Sequence, residues 1–157
     1  TGGYNYLFAD AVRKKAVVLE TTKDHAVLFW ADQEPDVQFR VPVKNGIFRS
    51  DWAMDPVVRD LQLASQGNPK APGVESPEGC KAYDVRYRGT GEMLLQFYGQ
   101  LDVEKGLAIA GTIAPGSNIQ SVVYFYPELW VANASGRQPA AQGRFERFDL
   151  KELFNSN

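Results

Sequence analysis

A threonine at the first position, the only histidine and the only cysteine limit the nucleophilic chemistry that this chain can do by itself: Thr1, His25 and Cys80. A first-residue threonine joins a hydroxyl nucleophile to its own α-amine, which has an ordinary pKa of about 7.7 to 8.0 and accepts a proton readily near pH 8. Thr1-Gly2-Gly3 would give that hydroxyl a pliant backbone, and the two glycines serve a loop equally well. His25 is the only histidine, so any Ser-His-Asp or Cys-His arrangement made within the chain has to use it. It stands in Asp24-His25-Ala26-Val27-Leu28-Phe29-Trp30, at the entrance to an apolar strand. Successive side chains on a strand point to opposite faces, so Asp24 is no ready partner and His25 reads as a turn or edge histidine. Cys80 follows a proline-rich stretch where a helix start would lower a thiol pKa. One cysteine excludes an internal disulfide, and with one histidine it cannot supply a structural zinc site of several sulfur and nitrogen ligands. Neither a metal nor a cofactor is expected.

The whole composition narrows the class. A chain of 157 residues with 44% apolar side chains suits one soluble domain with a real hydrophobic core. Seventeen basic and nineteen acidic residues leave a net charge of −2, with no run of one sign that would attract nucleic acid or anionic lipid. No apolar stretch approaches the roughly twenty residues of a membrane span, and no charged leader followed by an apolar run marks a secretory signal. The compartment stays open.

The elements that must position any site fall into an ordered series. Tyr4–Ala9, Ala16–Thr21, Ala26–Ala31 and Val37–Val43 are short runs rich in β-branched and aromatic residues, predicting three or four antiparallel strands. AVVLET and AVLFWA are nearly continuous in apolar character, which predicts a sheet covered on both faces. Asn45-Gly46 carries a hairpin signal. Asp55-Pro56 reads as an N-cap and first helical position, followed by Val57, Val58, Leu61 and Ala64 at helical spacing until Gly67. Residues 67–79 hold three prolines and three glycines and predict a long irregular loop of the kind that borders sites. Cys80 to Arg88 is ambiguous. Gly89-Thr90-Gly91 predicts a break before a helix over Glu92–Tyr98, and Asp102 caps a second helix with Val103, Leu107 and Ala110 on one stripe, ended by Pro115-Gly116. Two strands follow, within Asn118–Tyr126 and Glu128–Ala134, and Phe145–Phe154 reads as an edge strand with a helical turn. The sequon Asn133-Ala134-Ser135 reads as a strand end. Strands, helices and strands in this order predict a layered α+β domain with helices on a mainly antiparallel sheet.

Four segments carry a resemblance. Gly3-Tyr4-Asn5-Tyr6-Leu7-Phe8-Ala9-Asp10-Ala11 with Ala16-Val17-Val18-Leu19-Glu20-Thr21-Thr22 resembles the paired strands G-x-N-Y-L-x-A-D-A and V-V-x-E-T of autoproteolytic acyltransferases and hydrolases. The family is typified by acyl-coenzyme A:6-aminopenicillanic acid acyltransferase, with choloylglycine hydrolases as more distant relatives. Arg49-Ser50-Asp51-Trp52-Ala53-Met54-Asp55-Pro56 resembles its R-T-N-H-x-x-D-P stretch, and residues 114–123 resemble the turn and strand after its last helices. Trp130-Val131-Ala132-Asn133-Ala134 and Phe148-Asp149-Leu150 end the chain as that family ends, so the likeness spans nearly all 157 residues.

The resemblance implies a portion of a four-layer αββα N-terminal-nucleophile hydrolase that cleaves its own precursor and exposes a first-residue cysteine. That thiol attacks an amide or thioester carbonyl, its α-amine takes the proton, and the acyl-enzyme is released to water or an amine. Histidine is not needed. The segment like GGYNYLFADA lies downstream of the family's nucleophile, so the resemblance implies that Thr1 is internal to the parent chain. The nucleophile then resides on an N-terminal segment or companion chain, and the substrate is a small acyl compound. Asp51 stands where the family has an asparagine whose amide donates to the developing oxyanion. An ionised aspartate cannot donate, so Asp51 must be protonated, exchange roles, or mark a member that has lost the ordinary reaction. Arg49 fixes that turn, pairs with Asp51, or forms a surface ion pair at a helix entrance. Asn45 reads as a turn residue, and the resemblance gives Cys80 no role. Aromatic residues such as Tyr4, Tyr6, Trp30 and Trp52 suit core packing or an acyl pocket. A self-contained threonine hydrolase using Thr1 and a noncatalytic binding domain of the same fold are the alternatives.

Overall fold

The computed structural model of the chain describes residues 3–31, 41–50, 53–65, 81–134 and 139–155. Within them the protein is α+β, with two antiparallel three-stranded sheets and four helices. The chain divides into two compact units, Thr1–Leu95 and Gln96–Asn157.

In the first unit β1 (Tyr4–Asp10), β2 (Lys15–Thr21) and β3 (Ala26–Trp30) form a meander in the order β1-β2-β3. The first turn is tied by Asp10, whose Oδ1 accepts from the Val12 and Arg13 amides at 2.9 Å each. The Arg13 amide, then its guanidinium, holds the Asp10 carboxyl below its usual range. At the second turn the Thr22 amide donates to the His25 carbonyl and the His25 amide to Thr22 Oγ1. His25 is therefore an exposed turn residue, as its sequence context predicts.

Register sorts the sheet into two faces, because Leu7, Val18 and Phe29 stand opposite one another, as do Tyr6, Leu19 and Leu28. Val18, Glu20 and Phe29 point to the side that is buried. The other side carries Tyr4, Tyr6, Phe8, Leu19, Leu28 and Trp30. Its rings step along β1 with centroids 6.0 and 6.4 Å apart. Tyr6 is 47% exposed, Leu28 56% and Trp30 41%. Cover on both faces is thus corrected: within the first unit Val18, Glu20 and Phe29 are buried on one face, where Leu7 on β1 stays exposed, and the second apolar face is largely exposed.

Asp55 caps α1 (Pro56–Ser65) as the sequence predicts, its Oδ1 accepting from the Val58 amide at 2.9 Å. The expected strand Val37–Val43 is not found in its described part, since residues 41–43 are irregular and 37–40 lie outside the described residues. Pro42 has no N–H for a sheet ladder, and Val43 instead enters a core cluster with Phe48, Met54 and Tyr87. The Phe48 and Tyr87 rings stack with centroids 4.5 Å apart. Asn45 takes a left-handed φ of 54° in a turn, but the residues flanking it are not paired strands.

The predicted break at Gly89-Thr90-Gly91 is also overturned, because α2 (Lys81–Gln96) runs through it. Thr90 sits inside the helix with its hydroxyl satisfied by the Arg86 carbonyl one turn earlier, at 2.7 Å. Gly91 is a packing glycine: a Cβ there would lie 2.6 Å from Val41 Cγ1 and 2.9 Å from Phe48 Cζ. Gly89 faces open space. The two glycines predict opposite results. Gly89→Ala raises stability by about 1 kcal/mol through helix propensity, whereas overpacking of about 1 to 3 kcal/mol makes Gly91→Ala neutral to destabilising. Urea unfolding of the two variants checks this, and equal shifts would contradict the packing assignment.

In the second unit Asp102 caps α3 (Val103–Ile113) by accepting from the Lys105 amide at 2.9 Å. The stripe Val103, Leu107 and Ala110 is half-buried, and Ile109 is the buried residue. β4 (Gln120–Phe125), β5 (Glu128–Asn133) and β6 (Glu146–Asp149) form the second sheet, and α4 (Leu150–Asn155) closes the chain. Asn133 ends β5, where its Oδ1 accepts from Gln120 Nε2 at 2.9 Å. Gly106 lets α3 approach β4, since a Cβ there would lie 3.3 Å from Val123 Cγ1. The opposite face, with Val122, Tyr124 and Phe148, is exposed. Glu128 accepts from Arg147 Nε at 2.8 Å and from Trp130 Nε1 at 3.0 Å, and these bonds, the arginine's first, hold its carboxyl below the usual range.

Candidate functional site: a clamped segment at residues 49–55

The strongest polar constellation of the first unit surrounds the stretch singled out by its resemblance. Alternation from Val18 places Glu20 on the inward face of β2, where it is fully buried. An isolated buried carboxylate costs several kcal/mol, so its partners decide whether the strand can exist. Arg49 Nε donates to Glu20 Oε1 at 2.5 Å, with the arginine side chain only 5% exposed. The Asp55 amide donates to Glu20 Oε2 at 2.8 Å. One carboxylate therefore holds both the entry and the exit of segment 49–55.

Side-chain amides hold its interior. Asn5 Nδ2 donates to the Ser50 carbonyl at 3.2 Å, and Gln62 Oε1 accepts from the Ala53 amide at 3.0 Å. Gln62 Nε2 reaches Asn5 Oδ1 at 3.3 Å and the Thr21 carbonyl at 3.4 Å, joining α1 to β1 and β2. Arg49 also donates from Nη1 to the Phe48 carbonyl at 2.8 Å, and its guanidinium carbon lies 4.8 Å from the Phe29 ring centroid, within cation–π range. Strand, segment and helix thus meet in one polar network inside an apolar layer.

The sequence expectations map onto this network unevenly. Arg49 is in it, and its ion pair with Glu20 is buried and not at the surface; the expected pairing with Asp51 falls on a residue outside those described. Asp51 and Thr1 lie outside the described residues, as do Trp52 and Cys80. Gly3, two residues after Thr1, lies against the network: a Cβ there would stand 2.1 Å from the Thr21 carbonyl oxygen and 2.6 Å from Gln62 Cγ. Only glycine allows that approach. Glu20, Asn5, Gln62 and Asp55 were not singled out as site residues by sequence reasoning. The available signal was Glu20 itself, an acid within an apolar strand and in phase with Val18.

No family model, curated protein or solved structure matches the chain. Glu20 has both oxygens engaged and is closed to solvent, so it is a holder of backbone and not a general base. Among the described residues no group of three or more His, Cys, Asp or Glu side chains gathers to hold a metal ion, and no helix is long and apolar enough to cross a membrane. What the arrangement can do is keep the backbone on either side of residues 51 and 52 in one geometry, the preorganisation that a site for developing charge requires.

Proposed function

We propose that this chain is a portion of an N-terminal-nucleophile hydrolase or acyltransferase, acting on an amide or thioester through an acyl-enzyme. The nucleophilic cysteine is supplied by a separate N-terminal segment or companion chain. The observation that carries the reading is the clamp on segment 49–55, which in sequence resembles the family's R-T-N-H-x-x-D-P stretch and is held by four hydrogen bonds with Glu20, Asn5 and Gln62. In sequence Asp51 falls where the resembling family has its oxyanion asparagine, and on this reading it is protonated, has exchanged roles, or marks a member that has lost the ordinary reaction. The aromatic open face of β1-β2-β3 supports the four-layer αββα arrangement, because an inner sheet of a sandwich is apolar on both faces and buries both. The missing cover is a second β layer with apolar side chains, brought by the cysteine-bearing segment.

One observation favours a second reading. Gly3 is close-packed against Gln62 and the Thr21 carbonyl, and Thr1, two residues earlier in sequence, is the nucleophile of this reading. Both readings are tested on the protein purified from its source, by intact mass, N-terminal sequencing and acyl release from a panel of amides, lactams and acyl-coenzyme A thioesters. A copurifying chain that begins with cysteine, with turnover abolished by iodoacetamide, supports the first. Turnover abolished by Thr1→Ala supports the second. Failure of the whole panel with the companion present overturns both and leaves a noncatalytic domain of the same fold.

A further inference from the structure

We infer that the buried Glu20–Arg49 pair is a positioning device for segment 49–55 and not a stability element. Its functional meaning rests on the reading of that segment as part of the site; its structural meaning does not. Burying two charges costs about as much as their attraction returns, and apolar pairs of similar volume often replace buried ion pairs with no loss of stability. A leucine at position 20 would fill the inward face of β2 as well as Glu20 does. It could not reach two separate points of one segment.

Glu20 does this through the division of its oxygens. Oε1 takes the Arg49 side chain at the entry and Oε2 takes the Asp55 backbone at the exit. Asp55 is at the same time the N-cap of α1, so the exit of the segment and the start of the helix share one geometry. The Phe29 ring under the guanidinium and the Phe48 carbonyl at Nη1 set the plane of Arg49, leaving Nε aimed at Glu20. A glutamine at position 20 would keep one acceptor, and its amide nitrogen would then face either the Arg49 Nε–H or the Asp55 N–H, a donor against a donor. The charge and the paired acceptors are both used.

The test separates positioning from stability. In Glu20→Leu/Arg49→Met the thermal midpoint is expected to fall less than half as far as in Glu20→Ala, the Asp55 amide without its acceptor accounting for most of what is lost. Amide exchange at Asp55 should nevertheless accelerate at least about tenfold, because its acceptor is gone. Glu20→Gln should accelerate Asp55 exchange less than the double variant. Val18→Ala, which loosens the same strand without touching the pair, should lower the midpoint and leave the Asp55 amide protected relative to its neighbours. Unchanged Asp55 exchange in the double variant overturns the inference, as does a midpoint loss as large as that of Glu20→Ala. The catalytic arm reads kcat against KM for acyl release: the double variant should lose kcat with KM held. A parent protein without turnover counts against the proposed function, and the exchange result then decides the positioning inference by itself.

Discussion

Glu20→Ala should cost about 3 to 5 kcal/mol of stability, the largest single-residue effect expected in this protein. The substitution removes no more than one side chain, but it takes an acceptor from two groups. Arg49 remains 5% exposed with the Glu20 carboxylate gone, and the Asp55 amide at the start of α1 loses its acceptor. Removing one member of a buried pair is costly because the survivor keeps its desolvation penalty and loses the compensating attraction. Against a total of roughly 5 to 15 kcal/mol for an ordinary domain, a loss of this size leaves the first unit close to unfolding at ambient temperature. Urea titration followed by circular dichroism reads it directly. Adding Arg49→Met to the alanine variant should recover part of the loss, because the buried charge disappears with it. A single substitution costing less than about 1 kcal/mol would mean that water reaches the pair in solution and that the clamp is looser than its distances imply.

Leu28→Glu should leave the isolated chain nearly unchanged and, on the proposed sandwich, weaken assembly with the proposed cysteine-bearing segment at least about a hundredfold. Leu28 is more than half exposed on the aromatic face, midway along the edge strand β3, so a carboxylate there finds water in the separate chain. Under a second apolar layer the same carboxylate would be buried without a cation, and the complex would bear the cost. Val12, 90% exposed in the turn beyond β1 and away from that face, provides the control: Val12→Glu should affect neither stability nor assembly. Size-exclusion chromatography of the copurified complex and thiol-dependent acyl release report the two consequences. An intact, active complex carrying Leu28→Glu would show that this face is not where a further layer packs, and the sandwich reading would lose its structural support.

Both expectations concern residues that local reasoning treats unequally. The strands, the Asp55 and Asp102 caps, the two late strands and the turn at His25 were legible because each depends on neighbours a few residues away: side-chain alternation, helical spacing, a capping oxygen. The apolar run of β2 announced a sheet without a polar side. It did not say which face this chain covers, because burial is decided by what arrives from elsewhere. Gly89-Thr90-Gly91 misled for the same reason. Glycine weakens a helix locally, and only the approach of Val41 and Phe48 to Gly91 turns that weakness into a fit.

The site was half legible. Arg49 and its stretch stood out by type and order, so sequence alone determined where a polar turn enters a helix and which acid caps it. The partner of Arg49 was decided by tertiary structure, since Glu20 lies 29 residues earlier on a strand whose pattern gives no hint of a cation. Pattern reports which face a side chain takes; it does not report which distant backbone groups meet on that face. A carboxylate with two oxygens can join a guanidinium to a peptide N–H only after the sheet, the segment and α1 have come together.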